Sequence, residues 1–198
     1  KGQPDHHERV LITPRGPIVG RSPGDESLAL SLRAIWLDAL PAKGLLDAHG
    51  AKTSDEFRHL FEQWPHLSLN LVFADTSGDT GWQLAGQVPR RRKGHGTTPL
   101  SGWDPEVGWH DDLVPFDEMP HVMNAADGFV ATANNQPQPY GEGPFLGVDW
   151  LDGYRISRVR EILESRDDWD VRSTAEAQLD NYSIPWREMR DIVVSIST

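Results

Sequence analysis

Cysteine is absent from this 198-residue sequence. That excludes disulfides, thiolate metal sites and a cysteine nucleophile. Long apolar runs are missing too: no stretch approaches the roughly 18 consecutive apolar residues of a membrane span. Of the eight histidines, His6-His7 stand near a terminus and the other six are scattered, and no HExxH or comparable metal-binding pair occurs, which argues against a His-based zinc site. No GxSxG elbow, no GxxxxGK[ST] loop and no GxGxxG opening a helix occurs. Positive charge is scarce, with 19 Lys and Arg against 30 Asp and Glu, and the net charge of −11 opposes non-specific binding to a phosphate backbone. The chain opens Lys1-Gly2-Gln3-Pro4-Asp5, without an initiating Met or a signal peptide, which reads as a processed product or a cut piece.

What is present is modest apolar content, 37%, with eight Trp, fifteen Pro and eighteen Gly. This is the composition of a globular chain rich in turns. Val10-Leu11-Ile12 reads as a strand, Pro14-Arg15-Gly16-Pro17 as a turn and Ile18-Val19 as a second short strand. Leu28, Leu30 and Leu32 alternate with Ala29, Ser31 and Arg33, the period of a half-buried strand. Thr53 and Glu56 predict a capping box for a helix whose Phe57, Leu60, Phe61 and Trp64 share a face. Leu69, Leu71 and Phe73, the turn Thr76-Ser77-Gly78-Asp79 and the returning run Gly81 to Ala85 predict a hairpin. Residues 89–119, with two Trp, several Pro and many acids, read as a long irregular loop of functional or covering character. Phe129, Val130 and Thr132 predict a strand ending at Asn134-Asn135. Gly153 to Ser165 predicts an amphipathic helix, Ser173 with Glu176 a capping box for a helix through Leu179, and Pro185 the first turn of a last helix. Together these give an α+β arrangement in one unit, residues 1–198, without internal repeat or linker.

Candidate chemistry within the chain is sparse. Asp111-Asp112 and Asp167-Asp168 have the composition of paired carboxylates but read more simply as surface charge in so acidic a chain. Asp75, Ser77 and Asp79 around Gly78 hint at a calcium loop, yet lack its closing Glu and fit a hairpin turn better. The basic run Arg90-Arg91-Arg92-Lys93 has no interleaved aromatics and reads as a solvated loop, not a nucleic-acid patch. No complete catalytic set is found, so a reaction centre would have to include residues from elsewhere.

Three stretches in order, "NLVFADTSGDTGWQLAGQVPRR", "LVPFDEMPHVMNAADGFVATANNQP" and "FLGVDWLDGYRISRVREIL", resemble the penicillin amidase (penicillin acylase) family of N-terminal nucleophile hydrolases. "RGPIVG" and "AEAQLDNYS" resemble further segments of the same β-subunit, so the likeness runs from about Arg9 to Ser183. The resemblance implies an αββα sandwich of antiparallel sheets flanked by helices. It implies an autoproteolytic zymogen whose processing exposes an N-terminal Ser, Thr or Cys, activated by its own α-amino group. It implies hydrolysis of a linear N-acyl amide: a β-lactam side chain, an acyl-homoserine lactone, a lipopeptide or a similar compound. Asn134 would then donate to the oxyanion and Arg155 would orient the nucleophile and substrate. Asn135 would be a turn residue supporting them.

The same resemblance places the nucleophile upstream of Lys1, so these residues alone are expected to be inactive and to work with the remainder of the β-subunit and an α-subunit. No catalytic cofactor is implied. The family often carries a structural calcium, but the matching loops near Gly96 and Glu142 lack the expected Asp, which argues against it here. A periplasmic or extracellular location is expected, with no nucleic-acid partner. Two other readings are a scaffold that has lost its nucleophile and a Trp-rich carbohydrate-binding module built on Trp103 and Trp109.

Overall fold

The computed structural model describes residues 2, 5–65 and 68–196. Lys1, where the opening segment begins, and His66, one of the scattered histidines, lie outside the described residues. The chain is α+β: the described residues form three small antiparallel sheets followed by three α-helices, with one earlier α-helix between the sheets.

The first sheet has the order β1 (Ile12–Thr13), β2 (Gly16–Ser22), β3 (Asp25–Ser31). Val10 and Leu11 lie outside β1, although the Leu11 carbonyl still accepts from Ile18 N–H at 2.8 Å. The β1–β2 turn needs a glycine: Gly16 sits at φ 112°, and a Cβ there would stand 1.9 Å from the Leu32 carbonyl oxygen.

Helix α1 (Ser54–Leu60) starts as the sequence predicts, with Thr53 Oγ1 accepting from Glu56 N–H at 3.1 Å. The Glu56 carboxylate, however, reaches past the cap residue to Lys52 N–H, at 2.8 Å. Beyond the helix end, Phe61 packs with Phe57 and Trp64, at centroid distances of 5.3 and 6.0 Å, so the aromatic stripe is core packing.

The second sheet is the centre of the molecule. Strands β4 (Leu69–Ala74) and β5 (Thr80–Ala85) form the predicted hairpin, in register from Leu69 against Ala85 to Ala74 against Thr80. Asp75 ties off its turn: one carboxylate oxygen accepts from Ser77 N–H, Ser77 hydroxyl and Asp79 N–H, and the other from Ser54 N–H at the start of α1. These bonds, led by that from Ser54, hold its pKa well below the ordinary carboxylate range.

Residues 89–119 are not the irregular loop the sequence suggests. Strand β6 (Pro89–Arg91) pairs with β7 (Trp109–Leu113), and β8 (His121–Met123) joins β5. Charge hides this ladder in the sequence. Arg90 and Asp112, each one of a run of like charges, pair at 3.1 Å and support the ladder they mask. The basic run is thus partly strand, and Asp112 is indeed surface charge, held low in pKa by its bond from Arg90.

Phe129 to Ala133 form no ladder among the described residues, contrary to the strand predicted there. β-type side chains are not sufficient without a neighbouring strand edge to pair with. Helix α2 (Tyr154–Leu163) appears where expected. Helix α3 (Val171–Gln178) is capped by Asp170 with Ser173, not by Ser173 with Glu176: Ser173 N–H donates to Asp170 Oδ1 at 2.7 Å, and Ser173 Oγ accepts from Asp170 N–H. Asp outcompetes Ser here because its carboxylate sits one turn earlier, where the first amides are free. Helix α4 (Ile184–Ile196) carries Pro185 in its first turn and receives a cap from Ser183.

The accessible surface is 14690 Å². A folded monomer of this mass is expected to expose only about 9,400 Å². Trp186, Met189, Ile192 and Ile196 of α4 are all more than half exposed. Such apolar surface marks contact sites.

Candidate active site

Asn134 lies in the irregular, turn-rich stretch between β8 and α2, and Arg155 in the first turn of α2. Separated by 21 residues in sequence, they meet in space: Arg155 Nη1 lies 3.5 Å from Asn134 Oδ1 and donates to the Ala133 carbonyl at 3.1 Å. The longer contact is at the limit of a hydrogen bond, so the Ala133 carbonyl is the firmer anchor.

Asn134 does not end a strand. It stands in the left-handed region at φ 60°, one of two non-glycine residues with positive φ among those described. Asparagine tolerates this conformation better than most side chains, because its short amide can bond locally. The residue before it is fixed on both sides. Ala133 N–H donates to Asn135 Oδ1 at 3.2 Å while its carbonyl takes the Arg155 bond, and Asn135 Nδ2 donates to the Gln136 carbonyl. Asn135 therefore does support the turn, as the sequence suggests. The rigidity expected from a sheet comes instead from this local clamp and from α2.

Helix α2 offers a signal that sequence reasoning passed over. Its first turn contains no acidic residue and does contain Arg155, a cation at the positive end of the helix dipole. That placement costs roughly 0.3–1 kcal/mol in exposed helices. Asp152 offsets part of it by accepting from Tyr154 N–H at 3.1 Å. A residue that breaks a local rule in this way is a candidate for function.

The amide of Asn134 is left with capacity to spare. The side chain is exposed, and its Nδ2 makes no hydrogen bond among the described residues. Two N–H donors on a fixed backbone can therefore meet an incoming oxygen, with the Arg155 charge close by. This arrangement can stabilise an oxyanion but supplies no nucleophile or base.

The other candidates resolve differently. Trp109 has the Arg33 guanidinium 4.4 Å over its ring, which covers one face of a would-be sugar platform, while Trp103 stays 74% exposed. Among the described residues no group of three or more His, Asp or Glu could hold a metal ion. Among the described residues no helix is long and apolar enough to cross a membrane.

Sequence reasoning also missed Asn124, the other positive-φ residue. It accepts from Thr80 N–H and donates to Asp79 Oδ1, closing the hairpin onto β8. Arg58 was missed as well, a buried guanidinium on Gln83 and Asp117 at 2.8 and 2.7 Å.

Comparison with known proteins adds a third kind of observation. The family model described as penicillin amidase matches residues 1–197. Acyl-homoserine lactone acylase QuiP of Pseudomonas syringae pv. tomato is 31% identical over 91% of this chain, and penicillin acylase 2 proenzyme of Pseudomonas sp. strain SE83 is 28% identical over 92%. The chain spans only 22% and 24% of their respective lengths. Among solved structures, a thermostable penicillin G acylase from Alcaligenes faecalis matches 99% of this chain with a TM-score of 0.77 at 24% identity, the match covering 36% of that chain. At that identity the likeness concerns the fold.

Proposed function

The chain belongs to the penicillin amidase family, and on that premise we propose that the protein it forms part of hydrolyses a linear N-acyl amide, with Asn134 as oxyanion donor. Its fold is that of the N-terminal nucleophile hydrolases. In this reading a hydroxyl or thiol on a residue outside these 198 attacks the amide carbonyl. The carbonyl π electrons move onto oxygen, and Asn134 Nδ2 donates to the resulting oxyanion. Collapse breaks the C–N bond, the amine leaves with a proton, and water then hydrolyses the acyl-enzyme to the free acid. Arg155 holds the Ala133 carbonyl, fixes the residue before Asn134 and places a positive charge beside the developing negative one. The acyl donor is of the class to which β-lactam side chains, acyl-homoserine lactones and lipopeptides belong.

One observation carries the assignment: the left-handed, exposed Asn134 has an uncommitted amide N–H₂ and a preceding residue clamped at both its N–H and its C=O. The large uncovered apolar surface supports a chain that packs against the remainder of its enzyme. A location outside the cytoplasm is part of the same proposal. The test is a panel of linear N-acyl amides given to the full-length protein, reading free acid and free amine. Release of the two in equal amounts from at least one amide is expected. No release from any amide in the panel would refute the proposal.

A further inference from the structure

A cavity of about 410 Å³ opens between β3, β6 and the 96–109 segment. This falls within the roughly 300–1,000 Å³ of small-ligand sites. Neither Asn134 nor Arg155 lines it. Four cations do, Arg15, Arg33, Arg91 and Lys93, and no Asp or Glu is among its lining residues. In a chain of net charge −11 that concentration of positive charge is out of keeping with its surroundings.

The four cations are not equally committed. Lys93 pairs with Asp104 at 2.6 Å. Arg15 is fixed by the backbone carbonyls of Val107 and Asp104, at 2.6 and 3.2 Å, which orient its guanidinium without cancelling its charge. Arg33 lies over the Trp109 ring and, among the described residues, has no carboxylate partner. The Arg91 side chain makes no hydrogen bond or ion pair among the described residues, yet it is partly buried, and burial alone pulls its pKa down. The left-handed Gly96, φ 73°, lets the backbone approach so closely that a Cβ there would stand 3.1 Å from Arg91 Nε.

A half-buried guanidinium without a counter-charge is costly, and a ligand anion is the simplest group to offset it. Guanidinium groups match carboxylate and phosphate oxygens in paired geometry. The remaining walls are mainly apolar, with Leu30, Leu100 and Trp109 among them, and carry the hydroxyls of Ser31, Thr97 and Thr98. We propose that this cavity binds an amphiphilic anion, a carboxylate or phosphate on an aliphatic tail, with Arg91 and Arg33 on the head and the Leu100 and Trp109 side on the tail. The site is built from the Arg90–Lys93 run: Arg90 leaves it for Asp112, while Arg91 turns into the cavity.

Photo-crosslinking of the full-length protein tests this. Decanoate, decyl phosphate and decanol, each carrying a terminal diazirine, are compared, with the labelled peptides mapped. The two anions should label residues 29–33 or 96–109, at least tenfold more than decanol. Stronger labelling by the carboxylate or by the phosphate identifies the head group preferred. Arg91→Gln together with Arg33→Gln should reduce labelling by the anions about tenfold or more. Arg33→Gln alone, at an exposed position, should give a smaller loss and stands in if the double variant does not fold. Equal labelling by decanol, label falling outside those segments, or undiminished labelling in the folded variants would overturn the proposal.

Discussion

Two places among the described residues set an arginine guanidinium against a side-chain amide, and they differ in almost everything else. Arg58 meets Gln83 at 2.8 Å, with the two residues 7% and 0% exposed, and the Gln83 amide nitrogen donates onward to the Leu84 carbonyl. Arg155 meets Asn134 at 3.5 Å, both are exposed, and the amide nitrogen is uncommitted. The buried pair turns its bonds inward, Arg58 Nη1 to Gln83 Oε1 and Nη2 to Asp117, and only Arg58 Nε, itself buried, has no hydrogen-bond partner among the described residues. The exposed pair keeps capacity in reserve on a backbone that is nonetheless fixed. The first has the character of a structural joint between α1, β5 and Asp117, and the second is, in the function proposed above, the place that receives a substrate oxygen.

The contrast can be broken by substitutions that should separate stability from turnover. Arg58→Ala leaves Gln83 buried without its donor, and should cost about 3 kcal/mol of stability. For a chain of this size that is a fall in Tm of roughly 6–12 °C, read by calorimetry. A change within 1 °C would remove Arg58 from its structural role. Arg155→Lys keeps the charge but loses the planar fork that grips the Ala133 carbonyl. It should lower kcat about tenfold with little change in Tm; an unchanged kcat would mean charge alone suffices.

A smaller effect concerns acid. The depressed pKa of Asp75 means that its contribution to stability is fully present above the unfolded value, near 3.9, and is lost as pH falls through the lower folded value. Denaturation of Asp75→Asn should therefore be less pH-sensitive below pH ~4 than that of the parent. Parallel acid limbs would place the Asp75 network outside the acid transition. Asn135→Ala is expected to have the least effect, a few-fold loss in kcat, because it frees only the Ala133 N–H of the clamp. A loss as large as that of an oxyanion donor would promote Asn135 to a direct role.

The same comparison explains what the sequence could reveal. The β4–β5 hairpin was legible because alternation and turn residues agree within one short window. Strands β6 and β7 were not, because their ladder is made by Pro89, arginines and aspartates whose partners lie some twenty residues away. Residues 129–133 went wrong in the opposite sense, with strand-type side chains but no edge to join. Asn134 and Arg155 are singled out as site candidates through the family resemblance alone, since neither a left-handed φ nor a contact across 21 residues is written in composition. The cationic cavity was hidden for a similar reason: its walls come from segments near residues 15, 30, 91 and 100.

The central claim is that Asn134 acts on the transition state and not on the fold. The most direct measurement is kcat and Tm together for Asn134→Ala in the full-length enzyme, on an amide that the parent hydrolyses. The account predicts a fall in kcat of about 10²–10³, with Tm unchanged within about 2 °C. A kcat equal to that of the parent would contradict it.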